Sequence, residues 1–403
     1  LGDVNVLDFS STRQFIDSGY FHAIEMMDDI RELVSERISV EELNRIRTDF
    51  IEKKPSLIID SISIDGLTRG QSTYVNKTLR RRSDLVSLAD VKKDYFELVA
   101  DDKIQSIYPK LKYNETTGYY TLILSVKPAE RFQVQFGGNV SSAAANAAFV
   151  GLKYKYLGSQ AIELGGNVYF GRFYSSVMAK TRIDFPSRPK TYREGGFIYN
   201  NKNYFNSSTY FFEDITPVYL IDNESFFYLD LGMPITQHGK FVFSGALTRS
   251  KYNYYQTNSF TRYDTADVTY FDYYSSQALF ELNSLNLKQY PNKGVKLLIS
   301  ANYVNGIEKN FPGSTSFDQQ EYEARHQWAQ FKLQYDNYFQ RLGPFTFGFL
   351  GELLISNQKL FNNYTSTMMA SPAFEPIPES KVIFLPKYRA HSYIAGGLKI
   401  ISR

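Results

Sequence analysis

Two hydrophobic rhythms divide the chain. Up to residue 54 the apolar positions recur at helical spacing. Phe15, Ile16, Tyr20, Ala23, Ile24, Met27, Ile30, Leu33 and Val34 follow the candidate caps Ser10, Ser11 and Thr12. Ser39-Val40-Glu41-Glu42 has the form of a capping box opening a second helix, with Leu43, Ile46 and Phe50 on one face and Lys53-Lys54-Pro55 as its stop. Residues 56–130 mix the two rhythms. A strand over 57–64, a turn over 66–71, helices over 72–80 and 87–100, and strands over 107–113 and 119–126 give the order β-α-α-β-β. Asn114-Glu115-Thr116-Thr117-Gly118 reads as the hairpin turn between the last two strands.

From Phe132 onward period two takes over. Val295, Leu297 and Ile299 alternate with Lys296, Leu298 and Ser300. Phe331, Leu333 and Tyr335 alternate with Lys332, Gln334 and Asp336, and Phe347 and Phe349 with Gly348 and Leu350. About twelve strands are predicted: 132–141, 147–156, 161–172, 175–185, 191–205, 217–235, 240–254, 268–287, 294–306, 323–340, 345–356 and 391–403. Many reach the ~9–11 residues that cross a bilayer at a tilt. Short connections (157–160, 186–190, 236–239, 289–293, 340–344) alternate with long polar ones (255–267, 307–322, 357–390), the layout of an outer-membrane barrel.

Composition sharpens this. No apolar run approaches the ~18–20 residues of a spanning helix, yet 32 Tyr and 32 Phe crowd the strands. The alternate face carries Lys, Glu, Asn and Gln, which a dry sandwich core would leave unsatisfied. A greasy outer wall around a polar lumen accommodates both, so the expected fold is mostly β, a transmembrane antiparallel β-barrel. Val295, Leu297, Ile299, Phe331, Leu333, Tyr335, Phe347 and Phe349 are assigned to its lipid face. Rings at 170, 173, 174, 204, 205, 252, 254, 255, 273 and 274 are expected at headgroup level. The net charge of +3 gives no reason to expect a nucleic-acid partner, and the absence of Cys excludes thiol chemistry and Cys-ligated metal.

The module order resembles a polypeptide-transport-associated (POTRA) domain followed by a bacterial surface-antigen barrel. The residues that carry the resemblance are 58–66, the exit strand 119–126 and Phe132-Gln133-Val134-Gln135-Phe136-Gly137-Gly138-Asn139. It implies sixteen strands in the intact protein, four of them beyond Arg403, and a long loop that folds into the lumen carrying an Arg. Arg389, in Pro386-Lys387-Tyr388-Arg389-Ala390-His391, is the lumen-loop candidate, although the Gly of the motif is absent. Val4-Asn5-Val6-Leu7-Asp8-Phe9-Ser10 and Phe15-Ile16-Asp17-Ser18-Gly19-Tyr20 resemble the last segment of patatin-like phospholipase domains. The combination resembles patatin-like fusion proteins of Gram-negative bacteria, with residues 1–54 ending the patatin-like domain, 55–130 the POTRA-like domain and 131–403 the incomplete barrel.

That resemblance implies an outer-membrane translocator or anchor, the POTRA-like domain in the periplasm, membrane lipids as partners, and a client that is the attached lipid acyl hydrolase. The alternatives are an intact protein that is mainly a membrane-anchored phospholipase, or a passive porin. Oligomeric state and cofactors are not implied. No catalytic residue is assigned within the chain. Gly70-Gln71-Ser72-Thr73-Tyr74 lacks the closing Gly of a nucleophile elbow, and Asp65-Gly66-Leu67 lacks the third small residue of the partner motif. The four His, at 22, 238, 326 and 391, have no metal-ligand spacing. Arg80-Arg81-Arg82 reads as a solvated face, and the Gly pairs at 137–138, 165–166, 195–196 and 396–397 as points of strand curvature.

Overall fold

A computed structural model describes residues 12–34, 38–53, 57–79, 85–139, 147–171, 174–186, 189–204, 220–257, 259–261, 263–287, 290–377 and 384–402. The Val4–Ser10 resemblance, Phe173, Phe205 and Arg80–Arg82 lie outside these residues. The chain divides into two compact units. One comprises Leu1–Ile58 and Tyr113–Tyr120, the other Ile59–Lys112 and Thr121–Arg403.

The first unit holds α1 (Thr12–Glu25), α2 (Met27–Leu33) and α3 (Val40–Glu52). The Ser39 hydroxyl accepts the Glu42 amide at 3.0 Å, the first half of the expected capping box; the returning Glu42 contact is replaced by an ion pair. Glu42 turns its carboxylate to Arg45 at 2.9 Å. None of the three helices buries a residue, so the predicted apolar stripe, Ile16, Tyr20 and Leu33 included, is exposed. The unit also contains the hairpin tip, where Gly118 takes φ 73° and its amide closes on the Asn114 carbonyl at 2.9 Å.

The second unit opens with the α+β module. Its elements are β1 (Ile58–Asp65), α4 (Arg69–Leu79), β2 (Val86–Ser87), α5 (Leu88–Val99), β3 (Ile104–Asn114) and β4 (Tyr119–Pro128). The sheet order is β2-β1-β4-β3. Two details differ from the sequence reading. Helix α4 begins at Arg69 because Gln71 folds back to accept the Thr68 amide at 2.9 Å, and the two-residue strand β2 was not predicted. Ile59, Val75, Leu79, Leu98 and Leu124, each at most 1% exposed, form the module's core.

Beyond it runs one antiparallel sheet of twelve strands, each paired with its sequence neighbours. They are β5 (Phe132–Asn139), β6 (Ala147–Leu157), β7 (Ala161–Gly171), β8 (Tyr174–Phe185), β9 (Thr191–Tyr204), β10 (Leu220–Pro234), β11 (Gly239–Tyr254), β12 (Asp267–Asn283), β13 (Gly294–Phe311), β14 (Tyr322–Leu342), β15 (Phe345–Ser356) and β16 (Tyr393–Ser402). Between β15 and β16 lie α6 (Tyr364–Ala370) and a 3-10 turn at Pro386–Tyr388. All twelve predicted strands are present. The largest boundary error is β13, which continues to Phe311 where a loop was expected from residue 307. Its added residues alternate a buried Glu308 and Asn310 with an exposed Ile307, Lys309 and Phe311, and buried polar groups at the end of a strand look like loop polarity in sequence.

The register sorts the two faces. One face aligns Phe241, Phe280, Ile299, Leu333 and Leu353 across five strands, with Phe243, Ala278, Ala301, Phe331 and Ile355 in the next row. Val295, Leu297, Tyr335, Phe347 and Phe349 share this face by their alternation. The opposite face carries Lys180, Glu194, Lys202, Asp222, Lys332, Asp336, Glu352 and Lys399. Among them run ion pairs Lys180–Glu194 at 3.2 Å, Lys332–Glu352 at 2.8 Å and Lys399–Asp336 at 2.9 Å. Gly196 lies on this polar face. A Cβ there would stand 2.7 Å from the Ala179 carbonyl and 2.8 Å from the Tyr228 ring, so its hydrogen leaves room for the tyrosine directly opposite.

Candidate functional site

Both candidate surfaces of the second unit are on the polar side or at the short-turn rim. The first is where the connection between β15 and β16 meets the polar face. Phe361, Met369 and Phe384 of that connection pack with Tyr204, Leu220, Tyr252, Tyr254, Phe271, Val304 and Trp328, which come from β9 to β14. Phe361 meets the Phe271 ring at 5.1 Å and stacks on His326 at 4.7 Å. The expectation for Tyr204, Tyr252 and Tyr254 is therefore corrected. They point to the polar face and clamp this segment instead of standing at headgroup level, because the inserted connection offers them a buried apolar partner. Tyr273 and Tyr174 also take the inner register, whereas Phe170 and Tyr274 are exposed on the apolar face. Tyr255 stacks on Phe260 in the loop after β11.

Polar contacts fasten the segment. The Tyr254 hydroxyl meets Thr269 at 2.8 Å and accepts from Asn310 at 3.0 Å and Asn363 at 2.6 Å. Glu308, wholly buried, accepts the Asn362 amide at 3.0 Å through one oxygen and holds His326 at 2.8 Å through the other. Asn363 caps α6, accepting the Ser366 amide at 2.9 Å. A buried carboxylate with both oxygens engaged is costly to place and costly to leave unpaired, so this contact is specific to one position of the segment.

Arg389 closes the other end of α6. Its guanidinium donates to the carbonyls of Met368, Met369 and Ser371 at 3.3, 3.3 and 2.9 Å and reaches the Tyr204 hydroxyl at 3.4 Å. Its charge lies 4.8 Å from the Phe384 ring centroid. A cation on the last carbonyls of a helix satisfies groups that the helix leaves open. The predicted lumen-loop arginine thus sits against the polar face, while Glu308, His326, Asn310 and Asn363 were not singled out from sequence. The signal was present for His326, which shares one face of its strand with Ala324 and Trp328.

The second surface lies where the α+β module meets the short turns. Lys103, just before β3, pairs with Asp101, Asp102 and Asp184, the last at 3.1 Å on β8. Lys155 on β6 pairs with Asp102 at 2.6 Å, and Lys190 pairs with Glu97 of α5. Gly70 stands against the Gly158–Ser159 turn at 3.5 Å by its Cβ direction. Burial opposes the Lys103 charge, but three carboxylates hold its pKa above the ordinary lysine range. Burial likewise opposes ionisation of Asp102, and Lys155 and Lys103 more than offset it, so that carboxyl lies below its ordinary value.

The remaining sequence candidates are scattered. Ser72 lies in the first turns of α4 and Gly66 ends β1, so neither builds a strand-to-helix elbow. His22 faces Glu25 on α1, His238 lies in the turn before β11 and His391 precedes β16. Among the described residues no group of three or more His, Cys, Asp or Glu is arranged to hold a metal ion.

No family model matches the sequence, and no curated protein matches it. Among solved structures the chain is similar to BamA from Haemophilus ducreyi lacking POTRA domains 1–3. The identity is 13% and the TM-score 0.52, over 75% of this chain and 56% of that one. CdiB from Acinetobacter baumannii also matches, at 10% identity and TM-score 0.35, over 88% of this chain and 78% of that one. The chain spans little more than half the length of the BamA structure. The fold is that of an outer-membrane-type antiparallel barrel sheet preceded by a small POTRA-like α+β module.

Proposed function

We propose that this chain is the translocator and anchor portion of a longer outer-membrane protein, with the POTRA-like module in the periplasm and the long loops outside. The observation that carries this reading is the two-faced wall: apolar rows across five strands on one side, ion pairs on the other. Only a bilayer around a polar interior suits both faces at once. Val295, Leu297, Ile299, Phe331, Leu333, Tyr335, Phe347 and Phe349 are the proposed lipid contacts. Arg389 is the proposed lumen-loop residue, fixing the inserted connection. The module's ion pairs to the short turns support the orientation, since short turns lie on the periplasmic side of such barrels.

The proposed domains are 1–54, 55–130 and 131–403, within a barrel of sixteen strands. The translocation mechanism is strand pairing. The two residues of β2 cover part of the eight-residue β1, and an extended client joins the remainder of that edge by β-augmentation. The opposite edge strand, β3, carries Pro109, Lys110 and Lys112, residues that discourage pairing. The client in this reading is the protein's own upstream lipid acyl hydrolase. The exposed apolar stripe of α1 and α2 supports the assignment of those helices to the end of such a domain. An inner face occupied by the β15–β16 connection speaks against a passive porin.

The test uses the full-length protein in a Gram-negative host. It is expected in outer-membrane fractions, running faster in SDS before boiling than after. Protease added to whole cells is expected to cut the upstream domain if the barrel exports it. A protein found in the soluble fraction with no mobility shift overturns the membrane reading. Protection of the upstream domain until the outer membrane is opened overturns export and leaves anchoring.

A further inference from the structure

The apolar face is not apolar to its end. Above the hydrophobic rows, toward the long loops, two consecutive rows of β11–β14 carry charge outward. The first aligns Arg249, Asp272, Ile307 and Arg325, and the second Lys251, Tyr270, Lys309 and Glu323. Arg249 is 66% exposed and Lys309 48%, Arg325 is exposed and Lys251 half-buried. Four cations stand against two carboxylates, an excess of two positive charges, and the pairing shows which two. Arg249 grips Asp272 through two bonds at 2.6 and 2.8 Å, and Lys309 pairs with Glu323 at 3.1 Å. Arg325 donates to the neutral Asn305 at 3.1 Å, and Lys251 lies over the Tyr270 ring at 5.6 Å. On the neighbouring strand the same two rows hold Ser225 and Asn223, which add no charge.

Directly below, a groove of about 640 Å³ on this outer wall runs from Arg249 and Arg325 down to Leu247, Tyr274, Phe227 and Phe197. A cationic head above an apolar trough on a membrane-facing wall is complementary to one kind of molecule. We infer that this patch binds a membrane lipid with an anionic phosphate headgroup, the phosphate at Arg325 on the rim of the groove, Lys251 adding positive charge in the row above, and an acyl chain along the groove. Arg325 supplies directional donors for phosphate oxygens, and Lys251 a mobile charge. Asp272 occupies Arg249, so the phosphate at the groove's rim falls to Arg325, with Lys251 reinforcing the positive field. The inference rests on the membrane reading above.

The full-length protein in nonionic detergent is titrated with phosphatidylglycerol, with phosphatidylcholine and with inorganic phosphate, and bound lipid is counted by native mass spectrometry. Phosphatidylglycerol is expected to bind in preference to phosphatidylcholine. The Lys251→Gln/Arg325→Gln double variant is expected to weaken it about thirtyfold, the effect of two cations near a membrane surface. Lys332→Gln, on the opposite face, is expected to leave it unchanged. Equal binding of the two lipids, displacement of lipid by equimolar inorganic phosphate, or an unchanged affinity in the double variant overturns the inference. Each protein is also run in SDS with and without boiling. Loss of the mobility shift in the unsubstituted protein overturns the membrane reading and this inference with it. A retained shift with unchanged lipid affinity overturns this inference alone.

Discussion

Leu333→Arg and Gln334→Arg put the same side chain on adjacent residues of β14 and so report which face meets lipid. Leu333 is opposite Ile299 on one side and Leu353 on the other, in the middle of the apolar rows. An arginine near the midplane of a barrel wall costs about 2–4 kcal/mol. At about 1.4 kcal/mol per decade that is roughly a 30- to 700-fold loss in the folding equilibrium. Gln334 faces the other way and donates to Glu352 at 3.1 Å, with Lys332 also on Glu352 at 2.8 Å. An arginine there finds a carboxylate within reach, and its cost should stay under about 1 kcal/mol, the scale of one rearranged charge-assisted contact. Denaturant unfolding of the full-length protein inserted in lipid vesicles, followed by intrinsic fluorescence and by the SDS mobility shift, measures both. Equal losses, or a larger loss for Gln334→Arg, would refute the assignment of faces.

Glu308→Ala leaves His326 and the Asn362 amide without their shared acceptor. It should cost about 1–3 kcal/mol for each buried group left unpaired at the fastening, and expose residues 357–377 to protease added outside. Arg389→Ala should release the C-terminal end of α6 by about 1.5–3 kcal/mol, for the loss of hydrogen bonds to a charged donor, with raised conductance in planar bilayers as the readout. Asp102 has a depressed pKa, so its contribution is complete above its unfolded value of about 3.9 and is lost as the pH falls through the lower, folded value. Lys103, with a raised pKa, contributes fully below its unfolded value of about 10.4 and loses that contribution only as the pH rises through a still higher one. Cross-linking of the module to the short-turn rim should therefore hold at neutral pH, begin to weaken below about pH 4 and be lost only as the pH falls through the lower, folded value. Gly196→Val should be poorly accommodated against Tyr228 and the Ala179 carbonyl, lowering the yield of heat-modifiable protein.

The wall was legible because its period-two pattern sets an apolar face against a polar one along the strands, and the short turns punctuate it. Leu297, Ile299 and Leu333 could be placed on one face without knowing any contact. The fastening of the β15–β16 connection was not legible, for a physical reason. Glu308, Asn310 and Asn363 are polar residues buried by partners far away in the chain, and a buried polar strand end has the composition of a loop. Tyr204, Tyr252 and Tyr254 misled in the same way, since a ring that suits a headgroup also suits a packed interior, and only the inserted segment decides between them. Arg389 was nominated for a lumen role by a family resemblance, whereas its work on the end of α6 follows from geometry that no motif records.

Strand β13 has eighteen residues. At about 3.3 Å per residue it runs roughly 60 Å, and at a tilt near 40° it rises about 45 Å, well beyond an apolar band of about 25 Å. Strands farther along the sheet, such as β6 and β7 with eleven residues each, do not. On the membrane reading proposed above, this flank of the sheet rises past the oily layer, and the tyrosine, asparagine and glutamate clasp at the long-loop ends of its strands stands clear of it. Its hold on the inserted connection would then answer to the liquid bathing the cell, and a water-borne agent could undo it without entering fat.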